Sequence, residues 1–320
     1  MKILVTGAAG YIGSVLCGML LEEGHTVIGV DKLMYGGKSL LGIINHPRFS
    51  LINSDIYDTE KYAQYIDSET NIVNLAAVVG EPASKKLPEE TTRTNVDAAK
   101  KLIDLAIEKK AAKFVFVSTC SNYGLVPEGE MAAEESELHP LSLYAETKVQ
   151  IELYLKDQVK DTLNWTVLRF STVYGLSPRP RFDLTVNDFT LHAITDKKLL
   201  IFLPKTNRPY IHTIDAARAA KLCLEKPEES RHQVFNVGDN TQNYRKIDIV
   251  EAVKKAVPDF EVEYVEKGHD LRDYAVNFDK IRSILGYEIT KKVPDGVNEI
   301  AFAINSGMIK DPNNPEYYNA

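Results

Sequence analysis

Three glycines at three-residue spacing, placed directly after an apolar run, constrain the fold of this chain more than any other feature. Residues 3–5 are apolar, and Gly7, Gly10 and Gly13 follow them. In such a pattern the first glycine permits a tight turn, the second lets backbone approach a pyrophosphate, and the third allows the next helix to pack closely. The free N–H groups at the start of that helix bind the anion. The pattern therefore predicts a strand, a phosphate-binding turn and a helix, as in dinucleotide-binding folds.

The first half of the chain alternates short apolar segments with amphipathic ones. Predicted strands cover residues 3–6, 26–31, 49–52, 71–75, 114–118 and 166–170, and predicted helices cover residues 12–22, 95–109 and 144–156. Residues 114–117 are apolar throughout, as expected for a strand whose sheet has helices on both faces. The alternation predicts an α/β fold, a Rossmann-type doubly wound parallel sheet.

The pattern changes after residue 170, where a loop contains Pro178, Arg179, Pro180 and Arg181. Shorter predicted elements follow this loop. We therefore expect two domains: residues 1–170 bind the dinucleotide, and residues 171–320 form a smaller C-terminal α/β domain that mainly binds the substrate. Segments near residues 210–237 are expected to return to the first domain.

An acidic residue at the end of the second predicted strand indicates which dinucleotide binds. Asp31 lies close to the offset of about 20 residues from the glycine turn at which a carboxylate reaches the adenosine ribose. A carboxylate there repels a 2′-phosphate, which favours NAD over NADP, although Lys32 weakens that exclusion. Asp55 follows the third predicted strand, where it could accept a hydrogen bond from the adenine or cap a turn.

The most specific catalytic pattern is Tyr144 followed by Lys148. At positions i and i+4 of one helix, both side chains project from the same face. The lysine ammonium can lower the pKa of the phenol from its reference of about 10 and can hydrogen-bond the nicotinamide ribose. Tyr144 is then a general base for a substrate hydroxyl. Thr119, just beyond the fifth predicted strand, is predicted to hold that hydroxyl, because the carboxyl ends of parallel strands face the ligand crevice.

The composition argues against several other kinds of protein. A formal net charge of −7 disfavours a nucleic-acid partner, and the longest apolar runs are too short to span a bilayer. The three cysteines are widely spaced and the seven histidines form no metal-binding pair, so we expect neither disulfides nor a metal site. No secretory signal is readable near residue 1. These features favour a cytoplasmic protein without a membrane partner.

With these motifs in place, the chain resembles the extended short-chain dehydrogenase/reductase family, in its NAD-dependent sugar-nucleotide epimerase/dehydratase branch, which includes UDP-glucose 4-epimerase-like enzymes. The resemblance covers nearly the whole chain. It rests on residues 6–13, Asp31, Asn74-Leu75-Ala76-Ala77, Asn95, residues 118–124 and 144–148, Leu168-Arg169, Val173-Tyr174-Gly175, residues 208–212, Phe235-Asn236-Val237-Gly238, Arg272 and Leu285-Gly286-Tyr287.

The resemblance implies a Thr119, Tyr144 and Lys148 catalytic set, a retained NAD and a nucleoside-diphosphate sugar as substrate. It also implies a homodimer, formed through the helices predicted at residues 95–109 and 144–156. The complete cofactor set that we predict is Gly7, Gly10, Tyr11, Ile12, Gly13, Asp31, Asp55, Ile56, Leu75, Ala76, Ala77, Tyr144 and Lys148.

Two departures from the family pattern bear on the reaction. In 4,6-dehydratases an Asp-Glu acid/base pair follows the threonine, whereas here Cys120 and Ser121 occupy those positions. A thiol and a hydroxyl cannot replace the carboxylic acid that expels water, so dehydration is disfavoured. Thr172 stands where many members have an asparagine that contacts the substrate. This substitution leaves open how the sugar is recognised.

The second half of the chain offers arginines for the substrate's phosphates, since a forked guanidinium suits phosphate well. Arg208 and Arg272 match family positions that contact the nucleotide, and Arg179 and Arg181 lie in the proline-spaced loop. Residues 177–189 and Leu271-Arg272-Asp273-Tyr274 are similar to a subgroup that includes GDP-heptose 4-dehydrogenases. The predicted substrate-binding set is Thr119, Ser121, Thr172, Arg179, Arg181, Arg208 and Arg272.

Three functions are therefore weighed. The leading one is 4-epimerisation of a nucleoside-diphosphate sugar, in which a hydride leaves C4 while Tyr144 acts as base. The first alternative is a 4-dehydrogenase of the GDP-heptose type, which releases the 4-keto sugar. The second is a non-catalytic NAD-binding regulator, which would have no need of the Thr119, Tyr144 and Lys148 set.

Overall fold

A computed structural model describes residues 1–268 and 272–319 of the chain. Its strands are β1 (Lys2–Thr6), β2 (Thr26–Asp31), β3 (Phe49–Asn53), β4 (Thr70–Asn74), β5 (Lys113–Thr119), β6 (Trp165–Phe170), β7 (Thr172–Tyr174), β8 (Lys198–Phe202), β9 (Asn207–His212), β10 (Gln233–Val237), β11 (Asn243–Arg245) and β12 (Glu261–Val265). Its α-helices are α1 (Gly13–Glu22), α2 (Glu81–Lys86), α3 (Pro88–Thr92), α4 (Ala99–Glu108), α5 (Leu143–Leu153), α6 (Thr185–Thr195), α7 (Thr213–Glu225), α8 (Lys246–Ala256), α9 (Asp279–Leu285) and α10 (Val293–Asn305).

In the described part of the chain, the main sheet has seven parallel strands in the order β10-β6-β5-β4-β1-β2-β3. The predicted Rossmann-type parallel sheet is therefore confirmed. The strand order reverses between β1, which continues outward to β2, and β4, which continues to β5 and β6. In a doubly wound sheet, ligands bind outside the carboxyl ends of the strands at this reversal.

Both faces of the main sheet are covered, which explains why its strands are continuously apolar. Ile3 and Val5 belong to a core shared with Leu16 of α1 and Ala220 of α7. The intervening residue, Leu4, belongs to a second core on the other face, which includes residues of α4 and α5. Alternate side chains of one strand thus bury into different helix layers.

Two of the predicted helices contain π-helical turns. The segment predicted as residues 95–109 begins with the π-turn Arg93–Ala98 and continues as α4. The segment predicted as residues 144–156 is α5, which runs on into the π-turn Tyr154–Val159. The helical character was predicted, whereas the π-turns were not, because a single extra residue in a helical turn leaves no clear mark on periodicity.

The rest of the chain builds a smaller lobe from two short sheets and three helices. Strands β11, β9 and β7 form one sheet and β12 pairs with β8, with helices α6, α8 and α10 around the core that contains Tyr174, Val253 and Val297. Within residues 210–237, strand β10 lies beside β6 in the main sheet. Strand β9 instead lies in the smaller sheet beside β7.

Across the described ranges, no helix is long and apolar enough to cross a membrane. The three cysteines, Cys17, Cys120 and Cys223, are buried as free thiols. Within the same ranges, histidine, cysteine and acidic side chains form no group of three or more that could hold a metal ion.

Candidate active site

The glycine turn lies between the end of β1 and the start of α1. Gly7 adopts a φ of +71°, which favours glycine. A Cβ atom on Gly13 would lie 2.0 Å from the Gly7 carbonyl oxygen, so only glycine fits where α1 begins. The turn therefore leaves an open cradle of backbone N–H groups at a helix N-terminus, which fits the pyrophosphate of a dinucleotide.

Asp31, the last residue of β2, is fixed beside this turn. Its Oδ2 accepts a hydrogen bond from the backbone N–H of Ala9 at 2.9 Å, and its Oδ1 accepts one from Leu33 at 2.7 Å. Burial raises the pKa of the Asp31 carboxyl, while these two N–H donors oppose that rise. The carboxylate is thus held next to the turn, at the position predicted for the adenosine ribose.

The remaining predicted cofactor residues lie around the ends of β1, β3 and β4. The Asp55 carboxylate accepts hydrogen bonds from the Tyr57 N–H at 2.9 Å and from Arg93 at 3.1 Å. It therefore caps a turn, which was one of its two predicted roles. The Lys32 ammonium donates to Glu90 at 2.5 Å, so its charge is compensated within the protein.

The other cofactor residues differ in what they present to the crevice. Ile56 is buried in the core. Just after β4 ends, the Ala76 N–H donates to Thr6 Oγ1 at 3.3 Å. Leu75 and Ala77 lie on either side of Ala76 in the chain. The Tyr11 side chain is buried, and its hydroxyl donates to the Gly175 carbonyl at 2.6 Å. Tyr11 and Ile12 can therefore serve a cofactor through their backbone.

The predicted catalytic residues meet at the carboxyl end of β5. Thr119 ends that strand, and its Oγ1 accepts a hydrogen bond from the Ser121 N–H at 3.1 Å. The Thr119 hydroxyl lies beside Tyr144 and lowers the pKa of its phenol. Lys148, one turn further along α5, donates to the Val117 carbonyl at 2.8 Å, and its Nζ lies 5.9 Å from the centre of the Tyr144 ring.

The pKa of Tyr144 differs from the prediction that Lys148 lowers it. Burial raises the pKa of Tyr144 to about 12, and the charges that most favour its phenolate come from Arg181 and Arg272 rather than from Lys148. Burial also lowers the pKa of Lys148 to about 7, which the Glu152 carboxylate partly opposes. The physical reason is that Lys148 is almost fully buried under the sheet, where an ammonium is poorly solvated.

A buried polar network that the sequence analysis missed lies next to the predicted catalytic residues. Glu152, a further turn along α5, accepts hydrogen bonds from Asn122 at 2.8 Å and from Arg169 of β6 at 2.6 Å, and another from Ser118. Arg169 also donates to the Tyr123 hydroxyl at 2.8 Å. The spacing of Tyr144, Lys148 and Glu152 at four-residue intervals was the available signal, because it puts all three on one helix face.

Several predicted substrate residues gather around Tyr274. The Arg208 guanidinium lies 5.0 Å from the centre of the Tyr274 ring, and the Tyr274 hydroxyl lies 3.2 Å from Ser121 Oγ. Arg272 lies 3.4 Å from a Glu81 carboxylate oxygen. Tyr274 joins these groups although it was not in the predicted set.

The remaining predicted residues lie apart from that cluster. Thr172 lies in β7, paired with Tyr210 of β9. Leu271, which contributed to the subgroup resemblance, lies outside the described residues.

The proline-spaced loop brings its arginines to the glycine turn instead. Ser177 Oγ donates to the Tyr11 carbonyl at 2.6 Å and lies 3.3 Å from Ser14 Oγ at the start of α1. Arg181 forms a two-pronged ion pair with Asp183, with N–O distances of 3.0 and 2.6 Å. The loop therefore forms the second wall of the dinucleotide crevice.

Comparison with known proteins identifies the family of this chain. Residues 3–238 match the NAD-dependent epimerase/dehydratase family. The chain is 30% identical to an uncharacterized UDP-glucose epimerase of Bacillus subtilis strain 168, over 94% of this chain and 98% of the relative. It is 31% identical to a dTDP-glucose 4,6-dehydratase of Streptomyces griseus, over 92% of this chain and 91% of the relative.

A solved structure shows the same fold over nearly the whole chain. The UDP-glucuronic acid 4-epimerase of Bacillus cereus, in complex with UDP-glucuronic acid and NAD, superposes with a TM-score of 0.85. The two proteins are 28% identical, and the match covers 96% of this chain and 99% of the other.

A sheet of this topology, with its phosphate-binding turn after β1, places the chain among Rossmann-fold enzymes that use NAD. More narrowly, it belongs to the NAD-dependent epimerase/dehydratase family of sugar-nucleotide enzymes. Its relatives carry out more than one reaction, since they include both 4-epimerases and 4,6-dehydratases.

Proposed function

We propose that this chain is a 4-epimerase of a nucleoside-diphosphate hexose or heptose, with Tyr144 as the base. The observation that carries the proposal is that the Thr119 hydroxyl lies beside Tyr144 at the carboxyl end of β5, where it favours the phenolate. A sugar hydroxyl placed between them would be held by Thr119 while Tyr144 takes its proton. The pair faces the crevice in which a doubly wound sheet binds its ligands.

Neighbouring groups of the chain partly offset the effect of burial on Tyr144. The positive charges of Arg181 and Arg272 favour the phenolate, and the neighbouring Thr119 hydroxyl acts in the same direction. NAD, when bound, supplies the acceptor for the hydride that leaves C4 and returns it in epimerisation. After the 4-keto sugar rotates in the pocket and presents its other face, the protonated Tyr144 gives the proton back to the oxygen at C4.

Arg208 and Arg272 are proposed to bind the diphosphate of the substrate. Arg208 is buried and lies over the Tyr274 ring, and the charges of Arg208 and Arg272 both act on Tyr274. Guanidinium groups in such a partly dry site form strong, two-pronged contacts with phosphate oxygens. This placement would direct the sugar towards Thr119 and Tyr144.

Dehydration is disfavoured by the two residues that follow Thr119. The Cys120 thiol is buried, donates to the Arg169 carbonyl and has its pKa raised by burial, so it stays a neutral thiol. The Ser121 hydroxyl contacts Tyr274. Neither position carries the carboxylic acid needed to protonate a departing hydroxide, so we expect the reaction to stop at redox chemistry at C4.

A second candidate function is a 4-dehydrogenase that releases the 4-keto sugar. The similarity of residues 177–189 and of Arg272-Asp273-Tyr274 to GDP-heptose 4-dehydrogenases favours this candidate. Both reactions begin with the same proton transfer to Tyr144. They differ in whether the ketone is retained long enough to be reduced again.

Incubation of the purified enzyme with UDP-, GDP- and dTDP-sugars separates these functions. Epimerisation predicts a 4-epimer with no net change in the absorbance of reduced nicotinamide, whereas dehydrogenation predicts a stoichiometric rise. Tyr144→Phe should lower turnover at least about a thousandfold and leave bound NAD unchanged. A 4-keto-6-deoxy product, or full activity in Tyr144→Phe, would overturn the proposal.

A further inference from the structure

Arg179 carries hydrogen-bond donors that the protein itself does not satisfy. Its side chain is 6% exposed, yet Nε and Nη2 have no hydrogen-bond partner anywhere in residues 1–268 and 272–319. A buried guanidinium normally finds acceptors, because unsatisfied buried donors are costly. The orphaned donors therefore indicate that an acceptor from outside the chain completes this site.

The surroundings of Arg179 belong to the cofactor side of the crevice. The guanidinium stacks on the ring of Tyr35, 3.9 Å from its centre. Tyr35 follows Asp31 by four residues in the chain. Ser39, which lines the same small pocket, donates to the Ala9 carbonyl in the glycine turn at 2.8 Å. The Arg179 N–H donates to Ser177 Oγ, and that hydroxyl donates to the Tyr11 carbonyl.

The neighbouring arginine of the loop has a different environment. Arg181 is held by Asp183, and its charge acts on Tyr144 at the catalytic end of the crevice. Pro178 and Pro180 restrict the backbone on either side of Arg179. Arg181 thus acts on both Arg179 and Tyr144, and its guanidinium lies 6.0 Å from the centre of the Tyr11 ring.

No carboxylate in the pocket compensates Arg179 by direct contact. Asp31 already accepts two backbone N–H groups, and Glu316 at the pocket rim pairs with Lys38 at 2.9 Å. Burial lowers the pKa of the Arg179 guanidinium to about 10, and the positive charge of Arg181 adds to this effect. An anionic ligand would oppose both the effect of burial and the repulsion from Arg181.

We propose that Arg179 binds the cofactor and not the substrate: its free Nε and Nη2 donors hold a phosphate oxygen of the NAD pyrophosphate from the wall opposite the glycine turn. Planar guanidinium donors match phosphate geometry, and the glycine turn supplies donors from the other side. This assignment replaces the expectation that Arg179 binds the substrate diphosphate. It rests on the use of NAD and is independent of which sugar reacts.

The test compares retention of NAD with binding of nucleotides. Arg179→Met keeps a stem that can lie on Tyr35 but removes the donors, and Arg179→Lys keeps the charge without the fork. We expect Arg179→Met to purify with less NAD per chain and to exchange bound NAD for isotopically labelled NAD about ten- to a hundredfold faster. The NAD exchange rate of Arg179→Lys should lie between those of the unmodified enzyme and Arg179→Met. Thermal unfolding of each variant shows whether it is folded.

Calorimetric titration of the NAD-bound enzyme with UDP, GDP and dTDP supplies the discriminating arm. For Arg179→Met, we expect nucleotide affinity to change less than about twofold, whereas Arg208→Met should weaken it at least about tenfold with NAD exchange unchanged. Loss of nucleotide affinity with unchanged NAD exchange would return Arg179 to the substrate site. Unchanged values in both arms would make its role structural, and either result overturns the proposal whatever sugar proves to be the substrate.

Discussion

Lys148 is the residue whose environment departs furthest from its sequence-based role. Its side chain is 3% exposed and donates to a backbone carbonyl at the end of β5. An ammonium there is costly, which is why its pKa falls to about 7. Burial of Lys148 therefore lowers the stability of the folded chain, a cost that active-site groups often carry.

The cost of burying Lys148 predicts a pH-dependent stability. The unfolded chain binds the lysine proton up to its ordinary pKa of 10.5, whereas the folded chain releases it at about 7. The destabilisation caused by Lys148 is therefore greatest below about pH 7 and diminishes as the pH rises towards 10.5. In urea unfolding of NAD-depleted protein, Lys148→Met should be more stable by on the order of 2 kcal/mol near pH 7, with turnover abolished.

The same experiment contains its own check on the cause. The stability difference between Lys148→Met and the unmodified chain should shrink towards about pH 10. Lys255→Met, on the exposed side of α8, should change stability by less than about 0.5 kcal/mol at any pH. A pH-independent loss of stability in Lys148→Met would show that the bond to the Val117 carbonyl matters more than the buried charge.

At the scale of elements, helix α1 depends on its first residue. A Cβ on Gly13 would meet the Gly7 carbonyl oxygen at 2.0 Å, whereas a Cβ on Gly18, in the same helix, would meet nothing within 4 Å. Gly13→Ala must therefore displace either the turn or the helix. Gly18→Ala should instead gain helix propensity.

The two alanine variants form a matched pair. We expect Gly13→Ala to lose at least about 2 kcal/mol of unfolding free energy together with its NAD. Gly18→Ala should gain about 0.5–1 kcal/mol and keep its NAD. Urea unfolding and extraction of bound nucleotide measure both effects, and retention of NAD by Gly13→Ala would contradict the packing argument.

At the scale of the whole molecule, residues 95–109 and 144–156 lie side by side on one face of the main sheet. The Tyr154 hydroxyl donates to Asp104 of α4 at 2.6 Å, and Leu153, at the end of α5, is 49% exposed. We predict that two copies pair through this surface, so that Leu153 becomes buried on association.

Light scattering after gel filtration tests this pairing. Leu153→Arg should lower the dimer fraction, because a charge in an apolar contact costs more than it gains. Phe302→Arg replaces another large exposed side chain, 65% exposed on α10, and should leave the oligomeric state unchanged. A monomeric unmodified protein, or an equal effect of both variants, would refute the predicted surface.

The success of prediction from sequence depended on how local each signal was. The glycine turn, the i and i+4 pair of Tyr144 and Lys148, and the continuously apolar strands all express rules about neighbouring residues, and each led to the correct element. The Glu152–Arg169 ion pair joins α5 to β6 across the core. The spacing along α5 puts Glu152 on the same helix face as Tyr144 and Lys148, but nothing local predicts that Arg169 is its partner.

What the sequence determined by itself is the fold and the family, since the periodicity and the turn chemistry that define them are written along the chain. The tertiary structure alone decided which charges act on which groups. It put Lys148 under the sheet, Arg181 near Tyr144 and Arg179 beside Asp31, because burial and the direction of a side chain depend on packing between distant segments.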